Sequence, residues 1–207
     1  MSRFADQLAD EPRTCLVLVT GLPGTGKSTV ARAVATRFGL LLFSKDVFKE
    51  RIFDALGWSD KTWSLKVSAA SHRLIDYVVQ EQLRVGGSLV VESNFKPALD
   101  RPRFNAFTAE FGCRFIEVLC WAQGDVLFER YWARQNLSRH PGHVESASLE
   151  EQRAGLAAGK AAPLLVDGPT IEIDTTSFED LDYEALFDAL TDAGLPAAPP
   201  TGGRRHP

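Results

Sequence analysis

Apolar residues fall into short unbroken runs, separated by longer stretches in which they recur every three or four positions. The runs are Cys15-Leu16-Val17-Leu18-Val19-Thr20, Leu40-Leu41-Leu42-Phe43, Ser88-Leu89-Val90-Val91-Glu92, Phe115-Ile116-Glu117-Val118-Leu119 and Thr170-Ile171-Glu172-Ile173-Asp174. Brevity, β-branching and scarcity of polar interruptions are expected of parallel strands covered on both faces. Helical spacing predicts helices over 27–38, 47–56, 62–85, 97–111, 125–138, 149–160 and 178–193, and the alternation of strand and helix predicts an α/β fold around a parallel sheet.

Individual helices carry readable detail. Val30, Ala31, Val34, Ala35 and Phe38 share one side of the first, and Tyr183, Leu186, Phe187 and Leu190 share one side of the last. Phe48, Ile52, Ala55 and Leu56 form the expected core stripe of the second. Ser148 with Glu151, and Ser177 with Asp180, have capping-box spacing. The domain is therefore expected to span residues 14–194, after a polar lead-in at 1–13 and before a proline- and glycine-rich tail at 195–207.

Composition narrows the class. With 207 residues, 44% hydrophobic and 24% charged, the chain is an ordinary globular domain that needs neither disulfide nor metal to hold a core. Cys15, Cys113 and Cys120 lie within or beside apolar runs without ligand spacing, so buried thiols and a reducing, cytoplasmic setting are expected. A net charge of −4 argues against binding through a nucleic-acid backbone. No apolar run approaches the roughly 18 residues of a membrane span, and the N-terminus has no apolar signal segment, so no membrane partner is expected. A monomer or a dimer fits this composition equally.

Chemistry enters where the first strand ends. Gly21-Leu22-Pro23-Gly24-Thr25-Gly26-Lys27-Ser28 fits G-x-x-x-x-G-K-[ST] in full, between a strand and a helix. In such a loop, backbone N–H groups converge on phosphates at a helix N-terminus, Lys27 reaches the β- and γ-phosphates, Ser28 ligates Mg²⁺, and Thr29 completes the cradle. The dinucleotide fingerprint competes through Gly24-Thr25-Gly26 and Asp46, but Thr29 stands where its third glycine belongs. The expected ligand is ATP, with GTP as the alternative, together with Mg²⁺. The chain lacks the N-K-x-D sequence of signalling GTPases.

Further polar residues cluster at strand ends. Ser44-Lys45-Asp46 follows the second strand, on the sheet edge where α/β folds bind ligands. Asp46 there can accept the proton of an attacking hydroxyl or cap the following helix. Glu92, with Ser93 and Asn94, ends the third strand and can serve magnesium through water or bind an acceptor. Lys49 can pair with an acidic acceptor, and Phe95, Trp58 and Trp63 can line an aromatic one or simply pack. Arg130 and Arg134 stand one turn apart, with Arg139 beyond them, as a lid that closes on phosphates would require. His140-Pro141-Gly142-His143 reads as a turn rather than a metal site.

Taken together, Gly21 to Ser28, Ser44-Lys45-Asp46, Val90-Val91-Glu92-Ser93-Asn94-Phe95 and the stretch from Arg130 to His143 resemble the small AAA-type P-loop kinases similar to chloramphenicol phosphotransferase, zeta toxins and polynucleotide kinase domains. The resemblance implies a nucleoside-monophosphate-kinase-like P-loop fold, with a five-stranded parallel sheet in the order 2-3-1-4-5, a helical lid around 125–145 and an acceptor cleft. It also implies Lys27 and Ser28 at nucleotide and magnesium, Asp46 as base, and Arg130, Arg134 and Arg139 at the phosphates. Glu92 departs from the Asp of many relatives. The expected activity is transfer of a γ-phosphate to a hydroxyl of a small molecule, such as an antibiotic or a nucleoside-like metabolite. A polynucleotide or nucleotide-sugar kinase and a nucleotide-sensing regulator are the rival readings.

Overall fold

All five apolar runs are strands of one parallel sheet, ordered β2-β3-β1-β4-β5 in the computed structural model, which describes residues 14–137, 139–144 and 147–197. β1 (Cys15–Gly21) is central, flanked by β3 (Leu89–Glu92) and β4 (Arg114–Trp121), with β2 (Leu41–Ser44) and β5 (Thr170–Asp174) outside. Ser44 pairs with Glu92, Val19 with Glu92 and Gly21 with Cys120. This register brings the ends of β1, β2 and β3 to one edge.

Helices cover both faces. On one, α1 (Lys27–Phe38) and α7 (Tyr183–Asp192) enclose Cys15, Val17 and Val19, with Val30, Val34, Leu186 and Leu190. On the other, α3 (Lys61–Arg84) and α4 (Pro97–Phe111) cover Leu16 and Leu18 with Ile75, Val79, Phe104 and Phe107. Successive β1 residues thus point into two separate cores, which is why the strand reads as an unbroken apolar run. A third cluster, Ala122, Leu127, Tyr131 and Leu156, fastens α5 (Gly124–Leu137) to α6 (Leu149–Leu156).

Glu117 interrupts β4 and is fully buried. Its carboxylate accepts from the Leu164 N–H at 2.9 Å and the Thr170 hydroxyl at 2.9 Å, tying the chain before β5 to the sheet. Burial raises its pKa, against the lowering effect of those bonds. Burial also pushes the Cys113 thiol up to about 11 and Cys120 to about 12, consistent with inert core cysteines.

Some sequence expectations are corrected. α2 (Lys45–Leu56) buries Lys49 and Phe53 and packs Phe48 against the core beneath α3, whereas Ala55 and Leu56 are exposed, because its later turns lean on α3 and the turn after α5 rather than on the sheet. The Ser148–Glu151 capping box is present, but α6 ends at Leu156. α7 starts at Tyr183, with Asp182 as its cap, instead of at 178, because Phe178 is drawn aside against Gly26. Leu195, assigned by composition to the tail, is 2% exposed in the core beside α7. The lead-in at 1–13 and residues 198–207 lie outside the described residues. Among the described residues, no helix is long and apolar enough to cross a membrane.

Candidate functional site

The loop between β1 and α1 is built for close approach. Gly24 has φ +89°, and a Cβ there would meet the Leu127 carbonyl oxygen at 2.7 Å; Gly26, at φ +69°, lies against the Phe178 ring. Both positions need glycine. The Thr25 hydroxyl donates to Leu22 O at 2.9 Å, and the buried Thr175 hydroxyl donates to Thr25 O at 2.7 Å, so the loop is held from inside and from β5. α1 has no side-chain cap and no acid in its first turn, which leaves its leading N–H groups for an anion. Ser28 and Thr29, the next helical residues, are exposed at that end.

Lys27 is only 8% exposed, with Nζ 3.5 Å from Leu22 O and 4.0 Å from Glu92 Oε1. The other Glu92 oxygen accepts the Ser44 hydroxyl at 2.6 Å. Ser44 therefore spends its hydroxyl on Glu92 and makes no cap bond to α2. Asp46, inside the first turn of α2 rather than before it, is not the cap either. Its carboxyl lies 3.3 Å from Lys45 Nζ. Burial raises the Asp46 pKa, but Lys45, His143, Lys27 and Arg139 together outweigh it and bring it down to about 2.

A cavity of about 500 Å³ joins these groups, reaching from Leu22 and Lys27 past Asp46 and Lys49 to Glu92 and Asn94. Arg134 and Arg139 face it from α5 and the turn after it. A smaller cavity of about 180 Å³ adjoins Ser28, Ser44, Asp46 and Glu92. Among the described residues, no group of three His, Cys, Asp or Glu forms a metal cage. The oxygens of Ser28, Asp46 and Glu92 suit magnesium, which takes most of its ligands from water and phosphate.

Two expected residues lie elsewhere. Arg130 donates to Thr175 O at 2.8 Å and Thr176 O at 2.9 Å, just beyond the end of β5, and its guanidinium lies over the Phe178 ring. Phe95 is 6% exposed and meets Phe104 edge-on at 5.1 Å, so its ring belongs to the core. Trp58 packs on His140, and the Trp63 indole N–H donates to Gly57 O.

The turn at His140–His143 was read from the sequence as a turn within the lid, but its docking was not. His140 stacks on Phe53 at 5.3 Å, Gly142 abuts the same ring, and the Ser64 hydroxyl donates to Gly142 O at 2.9 Å. His143 Nε2 lies 2.9 Å from Glu50 Oε1, and its ring lines the cavity. Burial and Arg139 lower its pKa against the opposing pull of Asp46 and Glu50. The Pro-Gly pair signalled a turn, but nothing local signalled where it docks. Lys61, Lys96 and Tyr131 also line the cavity, from elements whose proximity only the fold creates.

Comparison with known proteins agrees with this fold. The family described as AAA domain matches residues 16–158. A crystal structure of a candidate kinase from Chloroflexus aurantiacus is 36% identical, with a TM-score of 0.82, covering 88% of this chain and 99% of that one. The APS kinase CysC of Mycobacterium tuberculosis, solved with AMPPNP and APS, shares the fold at 20% identity and a TM-score of 0.55, covering 88% of this chain and 98% of that one. An uncharacterized protein of Mycobacterium tuberculosis is 31% identical over 153 residues, which cover 70% of this chain. The match spans 29% of that relative's length.

Proposed function

The chain belongs to the AAA domain family of P-loop kinases, and from that premise we propose that it transfers the γ-phosphate of ATP to a hydroxyl of a small molecule, with Mg²⁺ as cofactor. The observation that carries the reading is the convergence of Lys27, Asp46 and Glu92 on one cavity. A nucleotide sensor has no need of a carboxylate facing an acceptor space.

In this reading the N–H groups from Gly24 to Ser28 and the Lys27 ammonium hold the β- and γ-phosphates. Ser28 and, through water, Glu92 hold magnesium, which neutralises charge on the phosphates when bound. Glu92 also fixes Lys27 and Ser44. Asp46 accepts a hydrogen bond from the acceptor hydroxyl. The acceptor oxygen bonds to the γ-phosphorus as the bond to the β–γ bridging oxygen breaks, ADP leaves, and Asp46 takes the hydroxyl proton.

A carboxylate near pKa 2 is a weak base, but two features reconcile it with this role. The transition state of phosphoryl transfer is loose, so the proton leaves late. Bound phosphates also offset the Lys27 and Arg139 charges that depress Asp46, moving its pKa back up. Arg134 and Arg139 stabilise charge on the transferred group, and α5, α6 and the His140–His143 turn act as the lid that excludes water. Arg130 holds the lid's base to β5.

The test is incubation with ATP, Mg²⁺ and a panel of hydroxylated metabolites, nucleosides and antibiotics, followed by mass. The expected result is a product heavier by one phosphoryl group that vanishes in Asp46→Asn. ATP bound without any phosphorylated product across the panel argues for the sensor.

A further inference from the structure

His143 brings an unpartnered hydrogen-bonding atom into the cavity. Its side chain is 4% exposed, and Nε2 lies 2.9 Å from Glu50 Oε1. A carboxylate only accepts, so in the neutral ring the proton sits on Nε2 and Nδ1 keeps its lone pair. Burial, with Arg139, holds the ring's pKa below the ordinary 6.5, so this neutral form is the one present at neutral pH. Among the described residues, Nδ1 has no hydrogen-bond partner.

The lone pair is held in place. The His143 ring meets Phe53 edge-on at 6.0 Å, the adjoining Gly142 abuts the same side chain, and the Ser64 hydroxyl of α3 donates to Gly142 O at 2.9 Å. Glu50 lines the smaller cavity alone, whereas His143 lines both, as Asp46 does. The edge of the ring turned away from Glu50 therefore belongs to the space that holds the acceptor in the kinase reading.

A buried acceptor atom left without a donor is unfavourable, and a site that presents one discriminates strongly for the ligand that brings the donor. Asp46 makes the same demand. Its carboxylate is also an acceptor, and in the kinase reading it takes the hydroxyl that is phosphorylated. Two acceptor groups facing one space call for a ligand with two donors.

We propose, resting on the kinase reading, that the acceptor molecule carries a second hydrogen-bond donor besides the hydroxyl that reacts, and that His143 Nδ1 accepts it. The substrate class is then a polyol, a sugar or an amino alcohol, and a compound with a single hydroxyl and no other donor is a poor substrate. Glu50 is a positioning residue in this arrangement, because it fixes which nitrogen of the ring is bare.

The test reads the nitrogen and the substrate separately. Protein labelled with ¹⁵N-histidine and loaded with AMPPNP is observed by NMR at about pH 8, where the ring is neutral, and the His143 signals are assigned by their loss in His143→Phe. A bare Nδ1 is expected in wild type and a mixture of tautomers in Glu50→Ala. The Nδ1 signal is expected to move on addition of a compound from a panel of ribose, glucose, glycerol and ethanolamine. Turnover with ATP is then compared between each compound that reacts and analogues lacking one non-reacting donor, such as 2-deoxyribose or 2-deoxyglucose. At one position the missing donor is expected to lower kcat/KM roughly 10- to 100-fold in wild type and less than about threefold in His143→Phe, which keeps a ring against Phe53 but not its nitrogen. The Glu50 side chain is 39% exposed, so Glu50→Ala remains informative if His143→Phe does not fold. A protonated Nδ1, an Nδ1 signal that no compound of the panel moves, or a deoxy penalty as large in His143→Phe as in wild type overturns this contact and leaves the kinase reading standing. Wild-type protein that does not bind AMPPNP overturns the kinase reading, and this inference with it.

Discussion

Ser44 donates a 2.6 Å hydrogen bond to Glu92, joining the ends of β2 and β3 through a carboxylate whose other oxygen lies 4.0 Å from Lys27 Nζ. Glu92→Gln keeps an acceptor for Ser44 but removes the charge facing Lys27. We expect kcat to fall roughly 100-fold and the magnesium requirement to rise, with the melting temperature little changed. A titration of rate against Mg²⁺ reads both effects, and an unchanged kcat would remove Glu92 from the machinery.

Lys27→Met takes a nearly buried ammonium out of the phosphate loop. The fold is expected to survive, since the methionine fills similar space, while turnover drops at least about 100-fold. Equal activity of the two proteins in a coupled ADP assay would contradict the role given to the loop.

Asp46→Asn is expected to lose about 100- to 10,000-fold in kcat with AMPPNP affinity kept. The same carboxyl has a stability signature. Its folded pKa, about 2, lies below the ordinary 3.8, so its contribution is complete above that ordinary value and is lost as pH falls through the folded one. Acid titration of melting temperature between pH 4 and about 2 is therefore flatter in Asp46→Asn than in wild type.

His143 reports on the lid. Its folded pKa lies below the ordinary 6.5, so the folded state prefers the neutral ring and loses stability as pH falls through that value. His143→Gln is expected to reduce this loss, read as the difference between the two proteins, since His72 is shifted in the same direction. Gly142→Ala, which sets a methyl group against Phe53, is expected to expose the turn to limited proteolysis and to raise the acceptor KM several-fold.

Arg130→Met removes the donors to Thr175 O and Thr176 O and the stack on Phe178. A loss of about 1–3 kcal/mol in urea unfolding is expected, with kcat affected less than in Arg134→Met. The reverse ranking would return Arg130 to the phosphates.

Sheet membership, strand order and the phosphate loop were legible because each rests on local pattern: unbroken apolar runs, a motif of fixed spacing, or a resemblance carried by both. The placement of Asp46 and Glu92 beside one cavity was legible for a related reason, since strand ends of a parallel sheet share one edge. Arg130 and Arg134 share a helix face in sequence, but Arg130 meets the β5 carbonyls first, a partner more than 40 residues away. Phe95 follows a site residue and yet turns into the core toward Phe104. The docking of His140–His143 on α2 was illegible because a turn's chemistry states its shape, not its destination.

Phe53 has a wider consequence. Its fully buried ring carries Gly142 and both histidines of the turn on one side and the Lys49 ammonium on another. The same side chain thus seats the turn and carries a cation that lines the cavity. Substitutions that reshape Phe53 for a new acceptor also change how fast the cover lifts. Selectivity and product escape are inherited together.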